Sequence, residues 1–213
     1  MDRLPLFPLP TVLLPGAPMP LHIFEPRYRQ MVARCVEGDS RFGLVYHDPD
    51  RDGPFHADEA RVGTVARILK YQPLPDGRSL IFCVGEERFT IREEIEDGAP
   101  YYEAVVTPYQ DAGDAGPDLA ERRRGSIGLF HRVLREAVEA EEPPPEIDES
   151  SEVAFRIAQT IRVDPAWQQS LLETRSESER LDLIDILLRT VLAAHARGEW
   201  HPDGDGDEDL SAM

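Results

Sequence analysis

The sequence has few of the residues that several large classes of protein require. Among its 213 residues it has two cysteines, Cys35 and Cys83, which is too few for a disulfide-dense secreted scaffold or a cysteine-based zinc site. No stretch approaches the ~20 apolar residues of a membrane span. Six prolines between residues 5 and 20 rule out a signal-peptide helix at the N-terminus. We therefore expect a cytoplasmic protein that does not contact a membrane.

Positive charge is also scarce. The chain has 23 basic and 41 acidic residues, and its net charge is −18. A field of that sign repels nucleic acids and anionic lipids, because both are bound through Lys and Arg. We expect neither as a partner. Arg122-Arg123-Arg124 is the only basic cluster, and we interpret it as the solvated first turn of a helix.

Motifs for catalysis are missing as well. The single lysine, Lys70, follows no glycine-rich phosphate loop and has no serine beside it. The six histidines include no pair at i, i+4 spacing, which excludes a zincin-type metal site. Cys35 and Cys83 lie in apolar segments and are predicted to be inert core thiols. We predict no catalytic residues and no enzymatic activity.

The first half of the chain reads mostly as short strands joined by turns. Leu74-Pro75-Asp76-Gly77 is a turn sequence, since proline presets φ and glycine accepts a positive φ, and it predicts an antiparallel hairpin. One helix is predicted to begin at Pro26 and to end at Gly38. The pattern indicates a small, partly closed barrel over residues 1–110, with strands at Leu4–Phe7, Thr11–Leu14, Arg41–Tyr46, Val62–Gln72, Ser79–Ile91 and Tyr101–Tyr109.

The second half has helical periodicity. Residues 111–150 are predicted to hold a helix and an acidic, proline-rich linker, and residues 151–198 a helical bundle. Asp164-Pro165 and the capping box Ser176–Glu179 mark two helix starts. Residues 199–213 are acidic and glycine-rich and are predicted to be a disordered tail. The fold class is α+β, a β pseudo-barrel followed by an α-helical bundle.

One acidic loop fits a calcium-binding pattern. Asp48, Asp50, Asp52 and Glu59 occupy the carboxylate positions of D-x-D-x-D-G-x5-E. An EF-hand has a helix on each side of its loop, whereas strands are predicted on both sides here. The segment is therefore either a Ca²⁺ site or a solvated acidic loop, and Ca²⁺ is the one cofactor that the sequence suggests.

Several blocks in order give the chain a family resemblance. It resembles the N-terminal substrate-binding domain of Lon proteases over roughly residues 1–197. The resemblance implies a PUA-like barrel followed by helices, and a domain that captures unfolded or tagged proteins ahead of an ATPase and a serine–lysine peptidase. The blocks that carry it are LPLFPL (4–9), PLHIFEPRY (20–28), VGTVARI (62–68), LPDGR (74–78), VGEERF (84–89) and EAVV (103–106).

The sequence contains neither the phosphate-binding motif of the ATPase nor the serine–lysine pair of the peptidase. It therefore looks like a stand-alone form of the domain. The expected function is non-catalytic binding of unfolded or tagged polypeptides, as an adaptor in protein quality control. Two alternatives stay open. One is RNA binding, because related PUA barrels serve that purpose, and the other is a calcium-regulated binder that uses loop 48–59.

The apolar, proline-rich segment around residues 13–21 is the candidate binding region. It is short of the N–H donors that sheet pairing needs, so we expect it to line a shallow groove for exposed hydrophobic chain. The alternative is a rigid crossover buried against the barrel. The predicted peptide-binding residues are Leu14, Pro15, Met19, Leu21, Phe24 and Tyr28.

Overall fold

The computed structural model describes residues 2–113, 118–138, 143–150 and 152–199. The chain forms two compact units, Met1–Gln110 and Asp111–Met213. The predicted tail from residue 200 onward and part of the acidic linker lie outside the described residues. Among the residues that are described, no helix is long and apolar enough to cross a membrane.

The described residues of the first unit form six strands in one sheet. Their order is β2-β5-β4-β3-β1-β6, and β5 also pairs with β6. Two helices, α1 (Pro26–Glu37) and the single turn α2 (Pro49–Asp52), flank β3. The strands are β1 (Asp2–Leu9), β2 (Pro18–Ile23), β3 (Arg41–Tyr46), β4 (Val62–Pro73), β5 (Ser79–Glu94) and β6 (Tyr102–Pro108).

The long strand β5 closes the barrel. Its first half pairs with β2 and its second half with β6, while β4 runs along its other edge. The β1–β3 pair is parallel and the other pairs are antiparallel. Five strands thus form a closed sheet that surrounds a buried core including Leu6, Phe89, Ile91 and Ala104, and β2 lies outside this closed sheet, beside the first half of β5.

The predicted strand at Thr11–Leu14 is wrong, and the chain forms β2 at Pro18–Ile23 instead. Proline in a strand loses no ladder bond when its nitrogen points away from the neighbouring strand. Pro18 and Pro20 lie opposite Val84 and Phe82. The backbone N–H and C=O groups of the odd-numbered residues of β2 point toward β5, so the nitrogens of Pro18 and Pro20 point away from it. The predicted range of β3 and the β4–β5 hairpin are confirmed.

Helix α1 begins and ends as its sequence predicts. Pro26 occupies the first turn, where no intrahelical N–H is required. The Gly38 N–H donates to the carbonyls of Arg34 and Cys35 and ends the helix. Its apolar face buries Tyr28, Met31, Val32 and Cys35.

The second unit is helical. Its helices are α3 (Leu119–Glu136), α4 (Val153–Ala158), α5 (Pro165–Glu173) and α6 (Glu177–Ala196). The Asp164 side chain accepts a hydrogen bond from the Ala166 N–H, and Ser176 accepts one from Glu179, which confirms both predicted helix starts. The core includes Phe130, Phe155, Leu172, Ile184 and Leu188.

Charged side chains take part in the interior of this helical unit. Glu177 is buried and accepts from the Val153 N–H at 2.9 Å while it pairs with Arg123. Arg180 is fully buried, donates to both Asp111 carboxylate oxygens at 2.8 and 2.7 Å, and lies 4.5 Å from the Phe155 ring centroid. The prediction that Arg123 is solvated is wrong, because it also donates to the carbonyls of residues 149 and 150.

Candidate functional site

The segment that leads into β2 packs against the sheet. Leu14, Pro15 and Tyr28 are buried, so their predicted place on a surface groove is wrong. The Gly16 N–H donates to the Gly85 carbonyl at 2.9 Å, and the Gly85 N–H donates to Ala17 at 3.0 Å. The Gly16 N–H is thus used in pairing with β5, and the Ala17 N–H donates to the Leu14 carbonyl at 3.0 Å. The burial of Leu14 and Pro15 favours the alternative of a buried crossover, and Tyr28 is buried on the apolar face of α1.

Strand alternation separates the other predicted site residues. Met19 and Leu21 are half-buried and lie opposite Cys83 and Ile81, whose side chains are buried. Consecutive side chains of a strand point to opposite faces, so Pro18, Pro20 and His22 lie on the outer face instead. Phe24, just beyond the strand, is 59 % exposed. Of the predicted residues, Met19 and Leu21 thus lie on the inward face of β2, and Phe24 is exposed beyond its end.

The outer face of the β2–β5 pair carries exposed apolar side chains from both strands. The register sets Pro18 opposite Val84 and Pro20 opposite Phe82. Leu80 and Phe82 are 43 % and 37 % exposed. The Phe24 ring lies 5.8 Å from the His22 ring, at the end of the strand. We name this surface the apolar face and define it as Pro18, Pro20, Phe24, Leu80, Phe82 and Val84.

Strand β4 gives the apolar face a polar border. Lys70 lies opposite Phe82 and Gln72 opposite Leu80, and both are exposed. Arg67 lies opposite Val84 and pairs with Glu86. Apolar surface with a polar rim is typical of a binding surface for another chain.

The β4–β5 turn holds the two strands of the hairpin together. The Leu74 N–H donates to the Arg78 carbonyl at 2.8 Å, and Gly77 has a φ of +80°. The Arg29 guanidinium of α1 lies against Gly77, where any Cβ would collide with it. Hydrogen bonding from Arg78 lowers the pKa of the Asp76 carboxyl, which keeps this turn charged and paired. The hairpin tip thus lies against α1.

The carboxylates of the acidic loop hydrogen-bond to the backbone of the loop itself. Asp48 accepts from the Asp50 N–H at 3.0 Å, and Asp52 accepts from the Asp48 N–H at 3.3 Å. These carboxylates cap the single turn α2 rather than converge with Glu59, and β3 and β4 flank the loop. Within the part of the chain that the structure describes, no group of three or more His, Cys, Asp or Glu side chains is placed to hold a metal ion. The geometry gives the calcium hypothesis no support.

The two cysteines are buried and free, as expected of core thiols. Burial raises the pKa of both Cys35 and Cys83 to about 12. At neutral pH both thiols are protonated and shielded from solvent, which is the environment of an unreactive core thiol.

The sequence carries a signal for Leu80 and Phe82, which are absent from the predicted peptide-binding residues. An antiparallel strand with one solvated face normally alternates apolar and polar residues. Leu80-Ile81-Phe82-Cys83-Val84 is apolar at every position, so whichever face β5 turns outward is apolar. The register between β2 and β5 could not be predicted from the sequence alone. That register adds Pro18 and Pro20 to the same surface.

A comparison with known protein families finds a match over most of the chain. A sequence model of the ATP-dependent protease La (LON) substrate-binding domain matches residues 3–190. The Lon protease of Cytophaga hutchinsonii is 26 % identical over 212 residues, covering 93 % of this chain and 25 % of the relative. That of Xanthomonas oryzae pv. oryzae is 30 % identical over 191 residues, covering 85 % and 22 %. The chain spans about a quarter of the length of these relatives.

Solved structures agree with the fold. A Lon N-terminal domain protein from Xanthomonas campestris superposes with a TM-score of 0.62 at 27 % identity, over 85 % of this chain and 96 % of that one. The N-terminal domain of a Mycobacterium avium complex Lon protease gives 0.65 at 20 % identity, over 88 % and 98 %. The mixed sheet followed by helices is thus a shared α+β architecture.

Proposed function

The chain belongs to the LON substrate-binding domain family, and from this premise we propose that its apolar face binds unfolded or tagged polypeptide segments. The observation that carries the proposal is the exposure of Leu80 and Phe82 on one face of β5, together with Phe24, whose ring lies beside His22, the residue opposite Leu80. Single exposed apolar residues are ordinary, but a contiguous set with a polar rim marks an interaction surface. Unfolded proteins display the matching apolar side chains.

The energetics suit reversible capture. Covering the exposed part of a Leu or Phe side chain contributes on the order of 1 kcal/mol. The ordering of a flexible client opposes this gain, so a few such contacts give weak binding that reverses easily. A protein that passes its clients onward needs such a balance.

The function proposed is binding without catalysis. The matched family region is a substrate-binding domain, and the relatives of this chain are Lon proteases. We infer that the chain acts in protein quality control as an adaptor that presents clients to a proteolytic partner. The RNA-binding alternative needs a basic stripe, whereas Arg41 and Arg67, beside the apolar face, share the carboxylate of Glu86.

A binding measurement tests the face directly. Fluorescence anisotropy with reduced, carboxymethylated α-lactalbumin, which stays unfolded, reports the dissociation constant. Phe82→Ser and Leu80→Ser each remove an exposed apolar contact, and we expect each to weaken binding about fivefold. The matched control is Ile186→Ser, which removes a side chain that is 61 % exposed on α6. Equal effects of Phe82→Ser and Ile186→Ser would contradict the proposal.

A further inference from the structure

The apolar face ends at an open strand edge. Strand β2 is the last strand in the sheet order, and β5 is its one partner among the described strands. An edge strand with free N–H and C=O groups is a template onto which an extended peptide adds as a further strand. A client on the apolar face therefore has two routes of binding, through side chains on the face or through its backbone at this edge.

The register shows which backbone groups of β2 point outward. The Gly85 N–H bonds to the Ala17 carbonyl, so residue 17 directs its carbonyl toward β5. Backbone direction alternates along a strand, and Pro18, Pro20 and His22 consequently direct their backbone groups away from β5. Two of these three residues are prolines and have no N–H to offer. The edge presents carbonyls at all three positions but a donor only at His22.

We propose that these prolines set the mode of recognition: clients are bound by their side chains on the apolar face, and strand addition at β2 is disfavoured because two of its three outward N–H donors are missing. This inference rests on the proposed function. It specifies the kind of partner as an apolar segment of any backbone conformation, including segments with prolines that cannot pair as strands.

The same two residues serve both purposes. The rings of Pro18 and Pro20 supply part of the apolar face, opposite Val84 and Phe82, while their nitrogens carry no hydrogen and leave His22 as the outward donor among these three residues. A binder of unfolded chains that added them as strands would risk sheet-on-sheet growth with its clients. Side-chain recognition avoids that hazard and keeps release fast.

Backbone N-methylation of the client separates the two modes. The probe is a short fluorescein-labelled peptide of alternating leucine and serine, compared with two analogues N-methylated at the odd or the even amides. Anisotropy with the full natural chain gives each dissociation constant. Strand addition to the three outward carbonyls would use three peptide donors, and each lost bond costs about fivefold in affinity. We expect the three peptides to bind within fivefold of one another.

The outcomes separate this inference from the proposed function. Binding of all three peptides within fivefold supports side-chain recognition. Binding of the unmethylated peptide with a loss of fivefold or more in either analogue overturns the inference and leaves the proposed function standing. Failure of every peptide to bind overturns both.

A variant tests the role of the prolines. The Pro18→Thr, Pro20→Thr double variant restores two outward donors, and we expect it to favour the unmethylated peptide over one analogue by fivefold or more. Pro73→Thr, at the exposed end of β4, is the matched control and keeps the ratio of the natural chain. A ratio near one in a folded double variant would overturn the role of the prolines. If the double variant does not fold, the methylation series on the natural chain decides alone.

Discussion

Phe89 shows how single residues fix the barrel. Its ring is buried against two glycines on neighbouring strands, Gly43 and Gly63. A Cβ on Gly63 would lie 2.6 Å from the Phe89 Cζ and 2.5 Å from the Leu44 carbonyl oxygen. We expect Gly63→Ala to lower the free energy of unfolding by about 1 to 3 kcal/mol, because neither neighbour can move away without strain. Urea denaturation followed by circular dichroism measures the change.

The control is a glycine in open space. Gly125 lies within α3, and nothing is within 4 Å of the position its Cβ would take. Gly125→Ala should therefore stabilise the protein by about 0.5 to 1 kcal/mol. A Gly63→Ala variant as stable as Gly125→Ala would show that the Phe89 contact is not a tight one.

The buried cysteines predict a loss of stability in alkali. Burial raises the pKa of Cys35 and Cys83 from 9.0 to about 12. Above pH 9 the unfolded chain loses these protons while the folded chain keeps them, so the stability present below pH 9 falls as the pH rises toward 12. We expect a loss on the order of 1 kcal/mol per cysteine at pH 10. Urea titrations at pH 7.5 and pH 10 measure it.

The Cys35→Ala, Cys83→Ala double variant is the control for this effect. Its free energy of unfolding should fall about 2 kcal/mol less between the two pH values than that of the natural chain. The buried Tyr28, whose pKa burial raises to about 12, stays in both proteins and cancels in the comparison. An unchanged pH dependence in the double variant would mean that the thiols are not the groups responsible.

Among the elements, α6 depends on a buried charge near its start. The Glu177 carboxylate accepts from Val153 at the start of α4 and pairs with Arg123 of α3. Glu177→Ala leaves both partners unsatisfied in the interior, and we expect it to cost about 2 to 4 kcal/mol in thermal or urea unfolding. Asp182→Ala is the matched control, because Asp182 pairs with the adjacent Arg122 but is 62 % exposed. It should cost less than about 1 kcal/mol, and similar losses would show that the burial of Glu177 is not what matters.

The helix starts were easier to predict from the sequence than the position of strand β2. Helix starts at Pro26, Asp164 and Ser176 were predictable because a cap or a proline acts within a few residues. Strand β2 was misplaced because prolines argue against a strand unless their nitrogens point away from the neighbouring strand. Which way they point depends on the pairing of β2 with β5, about 60 residues later in the sequence. Local chemistry fixes helix ends, whereas strand edges depend on distant partners.

At the scale of the whole molecule, the family resemblance and the strand and helix pattern predicted the α+β architecture, and the barrel closes as expected. The candidate site was harder to predict. Exposure of Phe82 rather than Met19 depends on which side of the β2–β5 pair the barrel core covers. Because the side-chain period of a strand is two, an error of one residue moves every side chain to the opposite face.

The net charge of −18 predicts how clients of different charge bind the apolar face. One apolar peptide is flanked either by lysines or by glutamates, and anisotropy measures both at low and high salt. We expect the lysine form to bind several-fold more tightly at about 20 mM salt, because the field of the whole protein attracts it. The difference should vanish near about 0.5 M salt, where screening leaves only apolar contact. Tighter binding of the glutamate form would instead mean that the local positive charge of Lys70, opposite Phe82, determines which peptide binds more tightly.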